Sequence, residues 1–222
     1  NKMLSRVLEE TTIPRLRVSS LQPQEISDEL IRLWDNDRLC PHFHLPLQSG
    51  SSTVLSRMRR RYSVAEYRQA VEKIRARLPS AAITADVIVG FPGETEKQFT
   101  DTYNLCKDIK FANLHLFPYS SRPGTSAYYL SNKVASKEIR TRMNLMLSLA
   151  KLQSADYRKS ILGTTSKVLW ETHKKIGNDT TWSGLTDNYI REATTSDKSL
   201  RNVITSVGLE KFTNGVVWAR IL

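Results

Sequence analysis

Cysteine is nearly absent from the 222 residues, with only Cys40 and Cys106 present. Two thiols cannot make a disulfide framework, and alone they cannot close a zinc or iron–sulfur site. A reducing, cytoplasmic setting is the expectation, with no metal ligands assigned. No apolar run approaches the roughly 18 residues that cross a bilayer, so no membrane partner is expected. The opening Asn1-Lys2-Met3-Leu4-Ser5 has neither the apolar stretch nor the cleavage pattern of a secretory leader. It reads as mid-helix, so a longer natural chain is expected. A Walker phosphate loop, GxGxxG, a nucleophile elbow and HExxH are also missing. None of the chemistries those motifs carry is indicated.

Acidic side chains are scarce. Lys and Arg total 33 against 22 Asp and Glu, a net charge of +11. Residues 1–162 hold 25 basic and 16 acidic groups, and residues 163–222 hold 8 and 6, so the excess lies in the first part. It peaks at Arg57-Met58-Arg59-Arg60-Arg61. Such a cluster suits a polyanion, because each neutralised phosphate releases counterions and guanidinium grips phosphate with two bonds. A solvated basic helix start is the plainer alternative.

Hydrophobic residues make up 40% of the chain, enough for a folded core. Residues 15–19 alternate and read as a strand, and residues 26–34 as a helix with Ser27 as N-cap. Residues 42–47 form a second strand that ends in the polar turn Gln48-Ser49-Gly50-Ser51. Ser63 with Glu66 three residues on marks the start of a helix over 64–78. Residues 82–89 are a third strand, residues 95–109 a helix and residues 113–117 a fourth strand. A long helix follows over about 136–161. Strand, loop and helix thus recur as parallel βα units, which collect functional groups at the C-terminal strand ends. From Gly163 the texture changes to about five short strand candidates, at 168–170, 181–185, 189–191, 202–205 and 215–221. That pattern suits a small β-barrel of the kind that binds oligonucleotides. The expected class is therefore α/β, a partial (βα) barrel over 1–162 followed by a small all-β barrel over 163–222.

Within this frame Ile88-Val-Gly-Phe-Pro-Gly-Glu-Thr95 carries an apolar strand into a turn with two glycines, exposing backbone groups able to pair with a flat heterocycle. Gln48 and Ser49 place an amide and a hydroxyl at another strand end. Each motif has a plainer reading, a tight βα turn or a helix cap. His42 and His44 share one strand face and read as core or rim histidines, while His115 and His173 carry no signal. Cys40 and Cys106 read as small buried residues.

The series Arg17-Val-Ser-Ser-Leu-Gln-Pro23, His44-Leu-Pro-Leu-Gln-Ser-Gly-Ser51, Asp86-Val-Ile-Val-Gly-Phe-Pro-Gly-Glu-Thr95 and Leu116-Phe-Pro-Tyr-Ser-Ser-Arg-Pro-Gly-Thr125 resembles the radical S-adenosylmethionine methylthiotransferases. The segment after Gly163, with Gly184-Leu-Thr-Asp-Asn-Tyr-Ile-Arg191, resembles their RNA-binding TRAM barrel. The Leu-Thr-Asp-Asn-Tyr run leans toward the branch acting on threonylcarbamoyladenosine beside the tRNA anticodon. The resemblance implies S-adenosylmethionine as cofactor, two 4Fe-4S clusters in the full-length protein, and the tRNA anticodon stem-loop as partner. It also implies that a methylthio group is added to C2 of the modified adenosine. It does not name the sulfur donor or reductant.

The chain departs from the family in having no CxxxCxxC. The expectation is a C-terminal fragment comprising barrel strands three to six plus the TRAM barrel, inactive alone. By motif, Ser19, Ser20, Gln48, Ser49 and Asp86 would face the cofactor, with Ile88, Val89, Gly90, Phe117, Pro118 and Tyr119 along its adenine. Arg57, Arg59, Arg60, Arg61, Arg122, Thr186, Asn188, Tyr189 and Arg191 are the RNA candidates, although Arg57 and Arg60 could instead meet the cofactor carboxylate. A non-catalytic RNA-binding protein on a degenerate scaffold is the rival. An aldolase-like barrel enzyme would need a catalytic Lys or a metal set at the strand ends, and neither is found.

Overall fold

The computed structural model describes residues 1–176 and 179–222. Helix α1 (Lys2–Glu10) leads to α2 (Asp28–Arg32), which Ser27 caps by accepting the Leu30 N–H at 3.1 Å. Then follow β1 (His42–His44), α3 (Ser52–Arg57), α4 (Val64–Arg77), β2 (Ala82–Val89), α5 (Glu96–Ile109), β3 (Asn113–Pro118) and α6 (Ser136–Ser160). The expected capping box at Ser63 and Glu66 starts α4, and Thr95 with Gln98 makes a second one at α5. Each box satisfies N–H groups that a helix start otherwise leaves unpaired.

Strands β1, β2 and β3 form a parallel sheet in that order, with Asp86 opposite His115 and Ile88 opposite Phe117. Two expectations shrink here. Residues 15–19 are not a strand: their one bridge, Leu16 to Leu39, lies outside the three-stranded sheet. The neighbouring segment is itself a turn, closed by Leu39 N–H on Asn36 O, so no ladder can extend. The strand expected over 42–47 stops at His44, because Pro46 has no N–H to donate and Gln48 turns left-handed, pairing only with Val87.

One face of the sheet is apolar. Phe43, Leu45, Ala85, Val87, Val89 and Leu114 are buried with Tyr67, Val71 and Ile74 of α4, Leu105 and Ile109 of α5, and Met146 and Leu149 of α6. Each large side chain so buried contributes about 1.5–3 kcal/mol. The period-2 alternation puts His42, His44, Thr84, Asp86, Ile88, Asn113, His115 and Phe117 on the opposite, inner face.

Helix α6, 25 residues and about 37 Å long at 1.5 Å per residue, returns the chain to the N-terminal edge of the sheet. There five strands, β4 (Thr165–Ile176), β5 (Asp179–Thr186), β6 (Arg191–Thr195), β7 (Ile204–Thr213) and β8 (Val216–Ile221), close a barrel in the order β4-β5-β6-β8-β7. Its core is separate from the first and includes Val168, Trp170, Trp182, Val207 and Leu209. Gly184 lies so close to the Leu169 carbonyl that any Cβ would collide with it. The strand expected from Tyr189 begins at Arg191, since Tyr189 occupies a turn at φ +67°.

The barrel is seated on the sheet's N-terminal edge. Arg15 donates to the carbonyls of Leu185 (2.9 Å) and Thr186, and the Arg17 guanidinium lies 3.9 Å over the Tyr189 ring. Tyr157 O–H donates to Ser80 O at 2.9 Å and accepts from Asn188 Nδ2 at 3.0 Å, while Lys167 pairs with Asp37 at 2.8 Å.

Candidate cofactor groove and inner sheet face

A groove of about 470 Å³ opens at the C-terminal strand ends, lined by Gln48, Asp86, Ile88, Phe117, Pro118, Tyr119 and Arg122 among others. These seven come from the turn after β1, from β2 and from β3 with the loop that follows it, and parallel strands aim all three at one place. Gln48 sits at φ +65° with its backbone clamped: its N–H donates to Asp86 O at 2.7 Å, and its C=O accepts from Ile88 N–H at 2.9 Å. A left-handed non-glycine conformation costs on the order of 1–3 kcal/mol and persists where the surroundings enforce it. The side chain is 7% exposed, and its amide is uncommitted among the described residues. The Tyr119 hydroxyl is also buried without a partner, its ring edge-on to Phe91 at 5.5 Å. One buried, unpartnered hydroxyl and one amide with no protein partner thus border the groove, groups that a polar ligand could satisfy.

The other cofactor candidates divide. Ser49 is fully buried and bonds Thr102 Oγ1 at 3.1 Å, and Val89 faces the helices, so both support the turn from behind. Gly90, at φ +81°, donates its N–H to Glu94 Oε2 at 2.8 Å, and a Cβ there would lie 2.5 Å from Ile139. The glycine therefore admits α6. Glu94 and Arg142 meet at 3.0 Å beneath it. Ser19 and Ser20 are exposed beside β1, with the Ser20 hydroxyl 3.3 Å from His44 Nδ1.

His44 in turn lies 3.1 Å, through Nε2, from Asp86 Oδ1, and His115 stands edge-on to it at 6.0 Å. His42 lies one step nearer the barrel. Burial, followed by the charges of Arg17, His44 and His115, pushes its pKa down to about 3. It is thus neutral, accepting from Arg17 Nε at 3.1 Å and donating to Thr84 Oγ1 at 3.1 Å. The sequence reading missed this polar inner face. The available signal was the alternation of His42 and His44, but their partners come from segments about 25 and 42 residues away in sequence.

The RNA candidates also divide. Arg57 is committed internally, to Pro92 O at 3.1 Å and Gln98 Oε1 at 3.0 Å. Arg59, Arg61 and Arg122 are exposed, and Arg60 is half-buried. Thr186 and Asn188 are buried turn-formers: Thr186 Oγ1 donates to Asn188 Oδ1 at 2.5 Å and accepts Ile190 N–H at 2.8 Å. Arg191 is exposed and pairs with Glu171 at 3.2 Å. Tyr189 packs against the hydrogen-bonded Arg17 and His42, the guanidinium 3.9 Å over its ring and the tilted His42 ring centroid 5.1 Å away.

Residues 6–106 match the family model of the radical SAM superfamily. Those residues form a radical SAM domain. It is 39% identical over 184 residues to the threonylcarbamoyladenosine tRNA methylthiotransferase MtaB of Bacillus subtilis, an alignment covering 81% of this chain and 40% of that protein. It is 36% identical over 178 residues to a tRNA-2-methylthio-N(6)-dimethylallyladenosine synthase of Caldicellulosiruptor saccharolyticus, covering 80% and 38%. The chain thus spans about 40% of the length of these curated relatives. The solved structure of coproporphyrinogen III oxidase (HemN) from Escherichia coli, a radical SAM enzyme, superposes with a TM-score of 0.56 at 10% identity, over 84% of this chain and 50% of that one, and so shares the fold.

A radical SAM domain implies S-adenosylmethionine and a 4Fe-4S cluster. The groove suits the first: apolar Ile88 and Phe117 offer surface to a flat ring, and the Gln48 amide and Tyr119 hydroxyl offer bonds to its polar parts. The described residues do not suit the second. No group of three His, Cys, Asp or Glu side chains is placed to hold a metal, and both thiols are buried, with burial raising Cys106 to about 12. No described helix is long and apolar enough to cross a membrane.

Proposed function

We propose that this chain is part of a tRNA-modifying methylthiotransferase, its strand-end groove holding S-adenosylmethionine and its small barrel, residues 163–222, holding the anticodon stem-loop. The observation that supports this most is the pairing of a backbone-strained, uncommitted Gln48 with the unpartnered Tyr119 hydroxyl in one groove. Bound S-adenosylmethionine would be the source of the radical that activates an adenine C–H at C2, given one electron from a 4Fe-4S cluster that the described residues do not hold. This chain's residues bind and orient. The Gln48 amide meets the ribose, and Ile88, Phe117 and the 117–119 backbone flank the adenine. Arg59, Arg60, Arg61 and Arg122 meet RNA phosphates from the sheet side, and Arg191 does so from the barrel. Buried Thr186 and Asn188 hold the turn that presents Tyr189.

The favoured substrate is threonylcarbamoyladenosine, on the strength of the Leu185-to-Tyr189 run and of relatives that carry that name. With no cluster ligands among its described residues, the chain alone binds without turning over.

The test is a titration of the isotopically labelled chain with S-adenosylhomocysteine, followed by an anticodon stem-loop RNA. Shifts should gather at Gln48, Ile88 and Tyr119, and Gln48→Ala should weaken binding at least about tenfold, as expected for a lost ligand hydrogen bond. RNA affinity should fall linearly in log salt. Shifts confined to other residues would remove the reading.

A further inference from the structure

We propose that Tyr129, outside the groove on the loop that follows β3, is a stacking platform for an unpaired RNA base that neighbours the adenosine to be modified. This rests on the RNA reading above and adds a base contact to its phosphate contacts. The loop makes a single 3₁₀ turn, Ser126–Tyr129, and is tied down on both sides of it. Thr125 Oγ1 donates to Arg122 O at 2.8 Å, Tyr128 N–H to Thr125 O at 3.0 Å, and Gly93 N–H to Asn132 O at 2.7 Å. The last bond pins the loop to the turn after β2. A platform set before its ligand arrives loses less freedom on binding.

Thr125 and Ala127 of this loop line the groove, and the two tyrosines that follow are held out into solvent. Tyr129 is 77% exposed and Tyr128 40%. Their rings meet edge-on, centroids 5.2 Å apart at 83°, so Tyr128 steadies its neighbour and leaves most of that ring open. The surrounding charge points to the visitor. Residues 118–137 contain no Asp or Glu, while Arg122, Lys133 and Lys137 are all exposed, and Lys133 Nζ lies 5.9 Å over the Tyr128 ring. Glu138, the next acid, is already engaged by Arg142. Cations without acids suit a polyanion rather than a protein surface of mixed charge. A free ring among them suits a base, because every base has a π-face and unpaired RNA bases are held by stacking on aromatic side chains.

The experiment titrates the full 222-residue chain with anticodon stem-loop RNAs that carry fluorescent 2-aminopurine on one side or the other of the acceptor adenosine. The parent should quench one of the two probes. Tyr129→Ala should abolish that quench and weaken binding at least about fivefold, the low end for one stacked base. Tyr129→Leu, apolar but not flat, should match it, and Tyr129→Phe should restore binding to within about twofold of the parent. The dependence of log affinity on log salt should keep its slope in Tyr129→Ala, where no phosphate contact is lost, and flatten by about one in Arg122→Ala. Tyr129 is exposed, so melts unchanged from the parent show that its variants fold. Tyr129→Ala as tight as the parent, or Tyr129→Leu as tight as Tyr129→Phe, overturns the proposal and leaves the aromatic pair to a protein contact. A parent that binds no RNA removes the RNA reading of the function and this proposal with it. A parent that binds with its full salt slope while Tyr129→Ala is unchanged removes this proposal alone.

Discussion

Arg142 and Glu94, both buried, meet at 3.0 Å directly under the groove turn, and the same Glu94 oxygen accepts the Gly90 N–H at 2.8 Å. One carboxylate oxygen thereby ties α6 to the end of β2. Burial raises the Glu94 carboxyl above its ordinary range even with Arg142 alongside. Arg142→Met should destabilise the protein by about 3–5 kcal/mol, because a buried charge is stranded. Adding Glu94→Gln should recover much of that loss. Urea melts of the two singles and the double check it, and a double variant no better than Arg142→Met would refute the pairing.

Glu192 lies inside the small barrel, fully buried, with neither carboxyl oxygen hydrogen-bonded. Burial, helped by Asp187, raises its pKa from 4.5 to about 8. Below pH 4.5 both the folded and unfolded forms hold the proton. Between 4.5 and 8 only the folded form does, so stability falls as pH rises through that window and levels off above it. Each unit is worth about 1.4 kcal/mol. Glu192→Gln should flatten the profile and raise the melting temperature at pH 8. A variant whose profile still slopes across the window would place the cause elsewhere.

Gln48 holds a conformation that glycine adopts freely. Gln48→Gly should keep or raise stability, by up to about 1 kcal/mol, while losing at least tenfold in S-adenosylhomocysteine affinity. Stability and binding that fall together would mean the side chain serves the fold.

Arg17 and Tyr189 join sheet and barrel at 3.9 Å. A double-mutant cycle through alanine should give a coupling of about 0.5–2 kcal/mol, the range for cation–π pairs. Limited proteolysis near residues 160–165 should quicken in either single variant. Zero coupling would show that Arg15 and Tyr157 seat the barrel without them.

Much of the local structure could be read in order along the chain. Ser63 with Glu66, the apolar run 82–89 and the Gly-rich turn after it are local signals, because a capping box or a buried strand is complete within a few residues. Alternation at 15–19 predicts a strand, but it says nothing of whether a partner ladder exists, and none forms. Arg57 looked like a phosphate ligand because its neighbours are arginines, yet Pro92 and Gln98, 35 and 41 residues on, claim its guanidinium.

The βα rhythm, the all-β tail, the positive charge and the strand-end residues that meet in the groove are legible along the chain, since period and turn chemistry are local properties. That Ser20, His44, Asp86 and His115 share one face, that Tyr189 docks the barrel and that Glu192 is sealed without a partner follows from the packed chain alone. Those outcomes depend on register and on the path of α6, where groups far apart in sequence compete for the same space and the same hydrogen bonds.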